Sequence, residues 1–203
     1  TLMSFVDFAP TFLEAAGVAV PPAMTGRSLL PVWTGQAKAD DGREFILTGR
    51  ERHTHARFDN LGYPSRALRT DAFLYIRNFK PDRWPMGDPP GYADIDDGPT
   101  VRFMRHAEAF PKLWELAIGK RPEEELYDIR NDVACLHNLA ANAEHAQTLE
   151  RLRGMLEAAL EAQKDPRVLG TGDIFESYPR VSAMRPELGG FAERGKYNPR
   201  YAP

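Results

Sequence analysis

The chain has 203 residues, of which 42% are hydrophobic and 27% charged, and its formal net charge is −3 at pH 7. The apolar content is sufficient for a folded core, and the nearly balanced charge gives no electrostatic argument for nucleic-acid binding. The single cysteine, Cys135, excludes a disulfide within the chain and a zinc site of several thiolates, and no apolar run is long enough to span a membrane.

The first segment predicts a helix over Ser4–Ala16, because apolar residues recur at helical spacing and Gly17 follows where a left-handed cap belongs. Pro10 has to lie in the first turn, so Asp7 is a better N-cap than Ser4. The start of the chain lacks an initiator Met, and this apolar helix needs a partner to pack against. We therefore expect residues 1–35 to be the end of another, truncated domain, whose exposed apolar surface favours a homo-oligomer.

The middle of the chain predicts a small antiparallel sheet. Four runs have strand character, and they are Glu44–Gly49, Ser65–Arg69, Phe73–Phe79 and Glu124–Ile129. Thr70–Ala72, between the second and third runs, has the length of a hairpin loop. The third run is rich in aromatic and β-branched residues, and its alternation places Phe73, Tyr75 and Arg77 on one face.

Helices are expected on both sides of the fourth strand. Thr100 caps one that runs to about Ala109, Pro111 interrupts it, and Lys112–Ile118 resumes it. The clearest helix is Ala143–Lys164, in which one face is marked by Leu149, Leu152, Leu156, Ala159, Leu160 and Gln163, with charges on the others. We expect it to cover the sheet, which gives residues 43–165 an α+β fold of about four antiparallel strands packed by one long helix. Residues 166–203 read as an extended tail rich in Gly and Pro, which its aromatic residues hold against a surface.

The best candidates for chemistry follow the first strand, in the segment Glu51–His55. If this segment is extended, Glu51, His53 and His55 share one face, a geometry that could hold a metal. A polar loop with two solvated histidines is an alternative. A substrate-facing loop, in which His and Arg side chains bind anionic groups, suits the composition better than a metal site. The candidate substrate-binding residues are Arg52, His53, His55, Tyr63 and Arg66, and no metal ligand is assigned.

Two further segments resemble the sulfatases of the alkaline phosphatase superfamily. Val6–Gly17, followed by Gly26–Pro31, looks like the helix and turn that close the sulfatase catalytic domain. Arg66–Thr70, with Tyr75–Arg77, resembles the hairpin of the family's C-terminal subdomain.

A third segment resembles the family signature E-L-Y-D-L-x-x-D-P-x-E-x-x-N-L-A. Glu125–Asp132 and Asn138–Ala140 match it, while Val133 replaces the usual Pro and Cys135 the usual Glu. The resemblance covers about residues 1–165. Within the family, the sequences around Tyr63 and Arg77 look most like heparan N-sulfatase (sulfamidase), which acts on glycosaminoglycans.

The resemblance implies that this chain is the C-terminal portion of a sulfatase hydrolase. In the family, the hydrated aldehyde of formylglycine attacks sulfur, while calcium and basic side chains stabilise the charge on the sulfuryl oxygens. All of these groups would lie upstream of Thr1. Gly62–Arg66 matches the nucleophile motif C-x-P-S-R except at Gly62, which has no side chain to oxidise, so the match is a coincidence.

The expected role of this portion is therefore non-catalytic. It would complete the core of the parent enzyme and line one side of the substrate cleft, with a sulfated sugar and the missing N-terminal catalytic domain as partners. The chain alone would be inactive, and formylglycine and calcium would belong to the missing domain. Two alternatives remain: a phosphonate or phosphate monoester hydrolase of the same superfamily, and a stand-alone non-catalytic sugar-binding or interaction module.

Overall fold

A four-stranded antiparallel sheet forms the centre of the chain. The structure is a computed structural model that describes residues 2–37, 42–53, 57, 61–89, 91–96, 98–106 and 110–178. The strands lie in the order β1 to β4, each antiparallel to the next, and they are Ile46–Arg50, Ser65–Arg69, Phe73–Asn78 and Glu124–Asp128. The predicted fold class is confirmed. The hairpin between β2 and β3 closes where the Thr70 amide donates to the Phe73 carbonyl at 2.9 Å.

One face of the sheet is covered by the helix that the sequence predicts. A 3₁₀ turn, Ala143–His145, leads into α5, Ala146–Ala162, and the Asn142 side chain caps this turn by accepting from the Glu144 amide at 2.9 Å. The helix buries four leucines, which are Leu149, Leu152, Leu156 and Leu160. They pack on Leu68, Tyr75 and Leu126, which are neighbours across three strands. Each buried leucine contributes about 1.5–3 kcal/mol to this core.

Helices α3, Pro99–His106, and α4, Pro111–Ile118, belong to the opposite side of the sheet. A groove of about 470 Å³ is lined by Leu74 and Ile76 of β3 together with Leu113 and Leu116 of α4. Both predicted helices are thus present. The first begins at Pro99, so Thr100 lies inside it and is not its cap, and residues 107–109 of its predicted range lie outside the described residues. Helices therefore lie on the second face of the sheet in addition to the predicted long helix. The alternating pattern of β3 explains the outcome, because apolar residues occur on both of its faces.

The segment before the sheet contains a 3₁₀ turn at Phe5–Asp7, then α1, Phe8–Ala15, and the short α2, Leu30–Trp33. Gly17 has the left-handed conformation expected of a cap, with φ +69°. Asp7 precedes α1, as predicted, but its side chain makes no capping bond to that helix. Its carboxylate instead accepts from the amides of Ser4 and Arg27, at 2.7 and 2.9 Å, and from the guanidinium of Arg43. Asp7 therefore does not cap α1. It links the start of this helix to Arg27 and to Arg43, which precedes β1.

The exposed apolar surface expected of this segment is present. The side chains of Phe5, Phe12 and Trp33 are 86%, 62% and 53% exposed.

Farther along, the predicted extended tail contains a short helix, α6, at Ile174–Ser177. Residues 179–203 lie outside the described residues. Among the described helices none is both long and apolar enough to cross a membrane. The proposed division at residues 35, 43 and 165 stays a prediction.

Candidate functional site

The candidate segment between β1 and β2, residues 51–63, has its two ends joined at the base by a backbone hydrogen bond. The Tyr63 amide donates to the Glu51 carbonyl at 2.7 Å, so the two ends of the segment lie side by side. Gly62 crosses the same carbonyl so closely that an added Cβ would lie 2.5 Å from its oxygen. Glycine is required here by the close approach of two backbones.

The Glu51 carboxylate fixes one side of this base. It accepts from Arg66 Nη2 at 2.7 Å and from Arg167 Nη2 at 2.7 Å. Arg66 is also held by Asp165, through an Nε–Oδ2 contact of 2.6 Å. Burial by itself would lower the pKa of Arg66, but the hydrogen bonds to Asp165 and Glu51 raise it above its usual value. This cluster therefore joins β2, the end of β1 and the chain that leaves α5.

A second buried ion pair fixes the middle of the segment. Arg57 is 2% exposed, and its Nε donates to Asp94 Oδ2 at 2.7 Å. The guanidinium also donates to the carbonyls of Trp84 and Pro85, and Arg50 reaches the same Asp94 oxygen at 2.9 Å. Burial lowers the pKa of Arg57, while the charge of Asp94 opposes this effect. The pair joins the segment to residues 84–94, which follow the sheet hairpin.

The five predicted binding residues do not form one exposed group. His53 is exposed, and His55 lies outside the described residues. Arg52 is partly buried and donates to the Phe175 carbonyl at 2.7 Å, while Arg66 is buried in the cluster just described. Their role as substrate ligands stays a prediction. What the structure shows for the two arginines is contact within the protein.

Tyr63 is also buried, with 3% of its surface exposed. Arg57 lies over its ring at 5.7 Å from the centroid. Its hydroxyl has no hydrogen-bond partner within the described part of the chain, and burial raises its pKa to about 12. The phenol is therefore neutral at physiological pH and faces the protein interior.

The possible metal site on one face of Glu51–His55 stays a prediction, because His55 lies outside the described residues. The Glu51 carboxylate is paired with two arginines. Among the described residues there is no group of three or more His, Cys, Asp or Glu side chains placed to hold a metal. Cys135 is half-buried, and burial raises the pKa of its thiol, so it is protonated at neutral pH. Cys135 is therefore not activated as a nucleophile, and anion binding at His53 stays a prediction.

Sequence reasoning missed four residues that hold the site together, which are Arg57, Asp94, Arg167 and Glu176. Each pairs with a residue between 37 and 116 positions away along the chain. No local pattern marks such a partner. The only available signal was the number of arginines near an otherwise polar stretch.

Comparison with known proteins gives sulfatases. An ulvan-active sulfatase from Formosa agariphila is 33% identical over 192 residues, which cover 91% of this chain and 30% of that protein. An N-acetylglucosamine-6-O-sulfatase from Bacteroides thetaiotaomicron is 27% identical over 161 residues, which cover 79% of this chain and 21% of that protein. The chain spans less than a third of the length of these curated relatives. No protein-family model matches it.

Solved structures agree on the fold. A 2-O GAG sulfatase superposes with a TM-score of 0.51 at 20% identity, over 90% of this chain and 27% of that one. A second structure, solved in complex with its substrate D-glucosamine-2-N,6-O-disulfate, has a TM-score of 0.51 at 24% identity, over 79% of this chain and 25% of that one. The solved structures show the fold alone, and the sequence relatives show that the chain belongs to the sulfatase family.

Proposed function

We propose that this chain is the C-terminal part of a sulfatase that removes sulfate from a sugar. The relatives support the reaction class, since the curated ones named above are sulfatases. Their names refer to different sugars, because one is an ulvan-active sulfatase and the other an N-acetylglucosamine-6-O-sulfatase. We therefore propose a sulfated saccharide as the substrate class. Sulfamidase activity is a narrower prediction within that class.

The main support for a role of this part of the enzyme is that His53 is exposed while the residues around it are held in place. The side chain is exposed, yet its neighbours are fixed, because Glu51 is paired with Arg66 and Arg167. Arg57, on the other side, is buried against Asp94. Binding residues commonly lie on loops that a rigid scaffold positions. An imidazole N–H here would donate to a sulfate or carboxylate oxygen of the sugar.

The residues described here fit a binding role better than the chemical step. Three acids of the described site, Glu51, Asp94 and Asp165, are each paired with arginine, and calcium requires several free oxygen ligands. We therefore assign calcium and formylglycine to the remainder of the sulfatase. The contribution of this chain is to bind and orient the sugar through groups remote from the sulfur.

The test is kinetic and uses the full-length enzyme. Loss of one charge-assisted hydrogen bond costs about 1.5–3 kcal/mol, which corresponds to about a 10- to 100-fold decrease in kcat/KM. We expect His53→Ala, alone and with His55→Ala, to show this decrease on the sulfated saccharide and little change on a small aryl sulfate, which lacks the remote groups.

His137→Ala is the matched control, because the His137 side chain is 79% exposed and lies in the turn before α5. It should leave both substrates unaffected. Wild-type kcat/KM of the double variant on the saccharide would show that the 51–63 segment is only a connector.

A further inference from the structure

Residues 165–178, here called the strap, return from α5 across the base of the 51–63 segment. At its start, Asp165 binds Arg66 at 2.6 Å. Arg167 follows, with a side chain only 2% exposed, and binds Glu51 at 2.7 Å. Arg167 also lies over the ring of Phe175, 5.3 Å from the centroid. The strap is therefore folded on itself as well as on the sheet.

The end of the strap, together with Arg83, binds both backbone polar groups of Gly62, its N–H and its carbonyl. Glu176 Oε2 accepts from the Gly62 amide at 3.2 Å, and Glu176 Oε1 accepts from Arg83 Nη1 at 2.8 Å. The same Arg83 nitrogen donates to the Gly62 carbonyl at 2.8 Å. Both polar groups of Gly62 are thus satisfied by a single ion pair.

Glu176 also acts on the other end of the segment. Arg52 Nη2 lies 3.6 Å from Glu176 Oε2 and donates to the carbonyl of the preceding residue, Phe175. Arg52 is adjacent to His53 in the chain, so fixing its side chain restricts the backbone that carries the imidazole. Burial by itself would raise the pKa of Glu176, but hydrogen bonds from Arg83 and Gly62 lower it, so the group is a carboxylate at neutral pH.

We infer that Glu176 is a positioning residue, which fixes Arg52 and Gly62 and thereby the placement of His53. The inference rests on the proposed function only in that His53 contacts the sugar. A carboxylate is required because it faces the guanidinium groups of Arg52, Arg83 and Arg167. A glutamine amide has the same shape, but its NH₂ group cannot accept from a guanidinium, and the charge is lost.

Amide hydrogen exchange on the 203-residue chain tests the positioning directly. Glu176→Gln should raise the exchange rate of the Gly62 and Tyr63 amides about tenfold and leave those of β2 and β3 unchanged. Arg83→Met removes the same ion pair from the other side and should give the same pattern. Asp173→Asn is the matched control, because its exposed carboxylate pairs with Lys80 and Arg167 and makes no described contact with Gly62.

Kinetics of the full-length enzyme then separate positioning from stability. Glu176→Gln should raise KM for the saccharide about tenfold and leave kcat for an aryl sulfate unchanged, whereas loss of folded enzyme would lower both activities together. Unchanged exchange at Gly62, or an equal rise across the sheet, would overturn the inference. Faster exchange at Gly62 with no effect of His53→Ala on the saccharide would support the positioning and overturn the proposed sugar contact.

Discussion

Replacing Asp7 by Asn should destabilise the chain in a way that depends on pH. The Asp7 side chain is fully buried. Burial by itself would raise its pKa, but hydrogen bonds from Arg43 and from the amides of Ser4 and Arg27 lower it from 3.8 to about 2. A pKa lowered this far on folding stabilises the folded state by about 2 kcal/mol at neutral pH.

The sign of the pH dependence follows from proton binding. Between about pH 4 and pH 2 the unfolded chain binds a proton at Asp7 that the folded chain does not, so this contribution is lost as the pH falls through that window. Above about pH 5 it is complete. At pH 3 about 1 kcal/mol of it has been lost.

Urea denaturation at pH 7 and at pH 3 measures this difference. Asp7→Asn should lower the free energy of unfolding by about 2 kcal/mol at pH 7 and by about 1 kcal/mol less at pH 3. Asp71→Asn, in the exposed hairpin turn, is the control and should have little effect. An equal effect of Asp7→Asn at both pH values would refute the argument from the carboxylate charge.

Three further predictions concern packing. Leu156→Ala should cost about 2–5 kcal/mol in chemical denaturation, because the side chain is buried against the sheet; a cost below 1 kcal/mol would contradict that packing. Gly62→Ala should lower the melting temperature, since its Cβ would meet a backbone carbonyl, whereas Gly154→Ala, in open space on α5, should raise it slightly. The isolated chain should self-associate through Phe5 and Phe12, so replacing both by Ser should shift light scattering toward the monomer; a monomeric wild-type chain would contradict this.

The parts of the fold that the sequence predicts are those with local signals. The bounds of β2, Ser65–Arg69, and the start of β3 at Phe73 were predicted correctly, because alternating apolar residues flank a stretch of turn length. The four buried leucines of α5 follow from one helical period sustained over seventeen residues. In both cases the residue pattern of one strand or helix is enough to predict which of its faces is buried.

The site is less predictable because long-range charge pairs build it. Nothing near Arg57 in the sequence indicates that its partner is Asp94, and nothing near Glu176 indicates Gly62. The local composition around Arg52 favours anion binding, whereas the structure pairs this side chain with the strap. Helix α6 was missed because four residues among Gly and Pro are too short to show a period.

Release of inorganic sulfate from sulfated saccharides tests the central claim most directly. The full-length protein and the isolated 203-residue chain would be assayed side by side, each against a heat-denatured control. We predict sulfate release by the full-length protein and none above the control by the chain alone. Release by the chain alone, or no release by the full-length protein from any sulfated saccharide, would contradict the proposal that this chain is the non-catalytic part of a sulfatase.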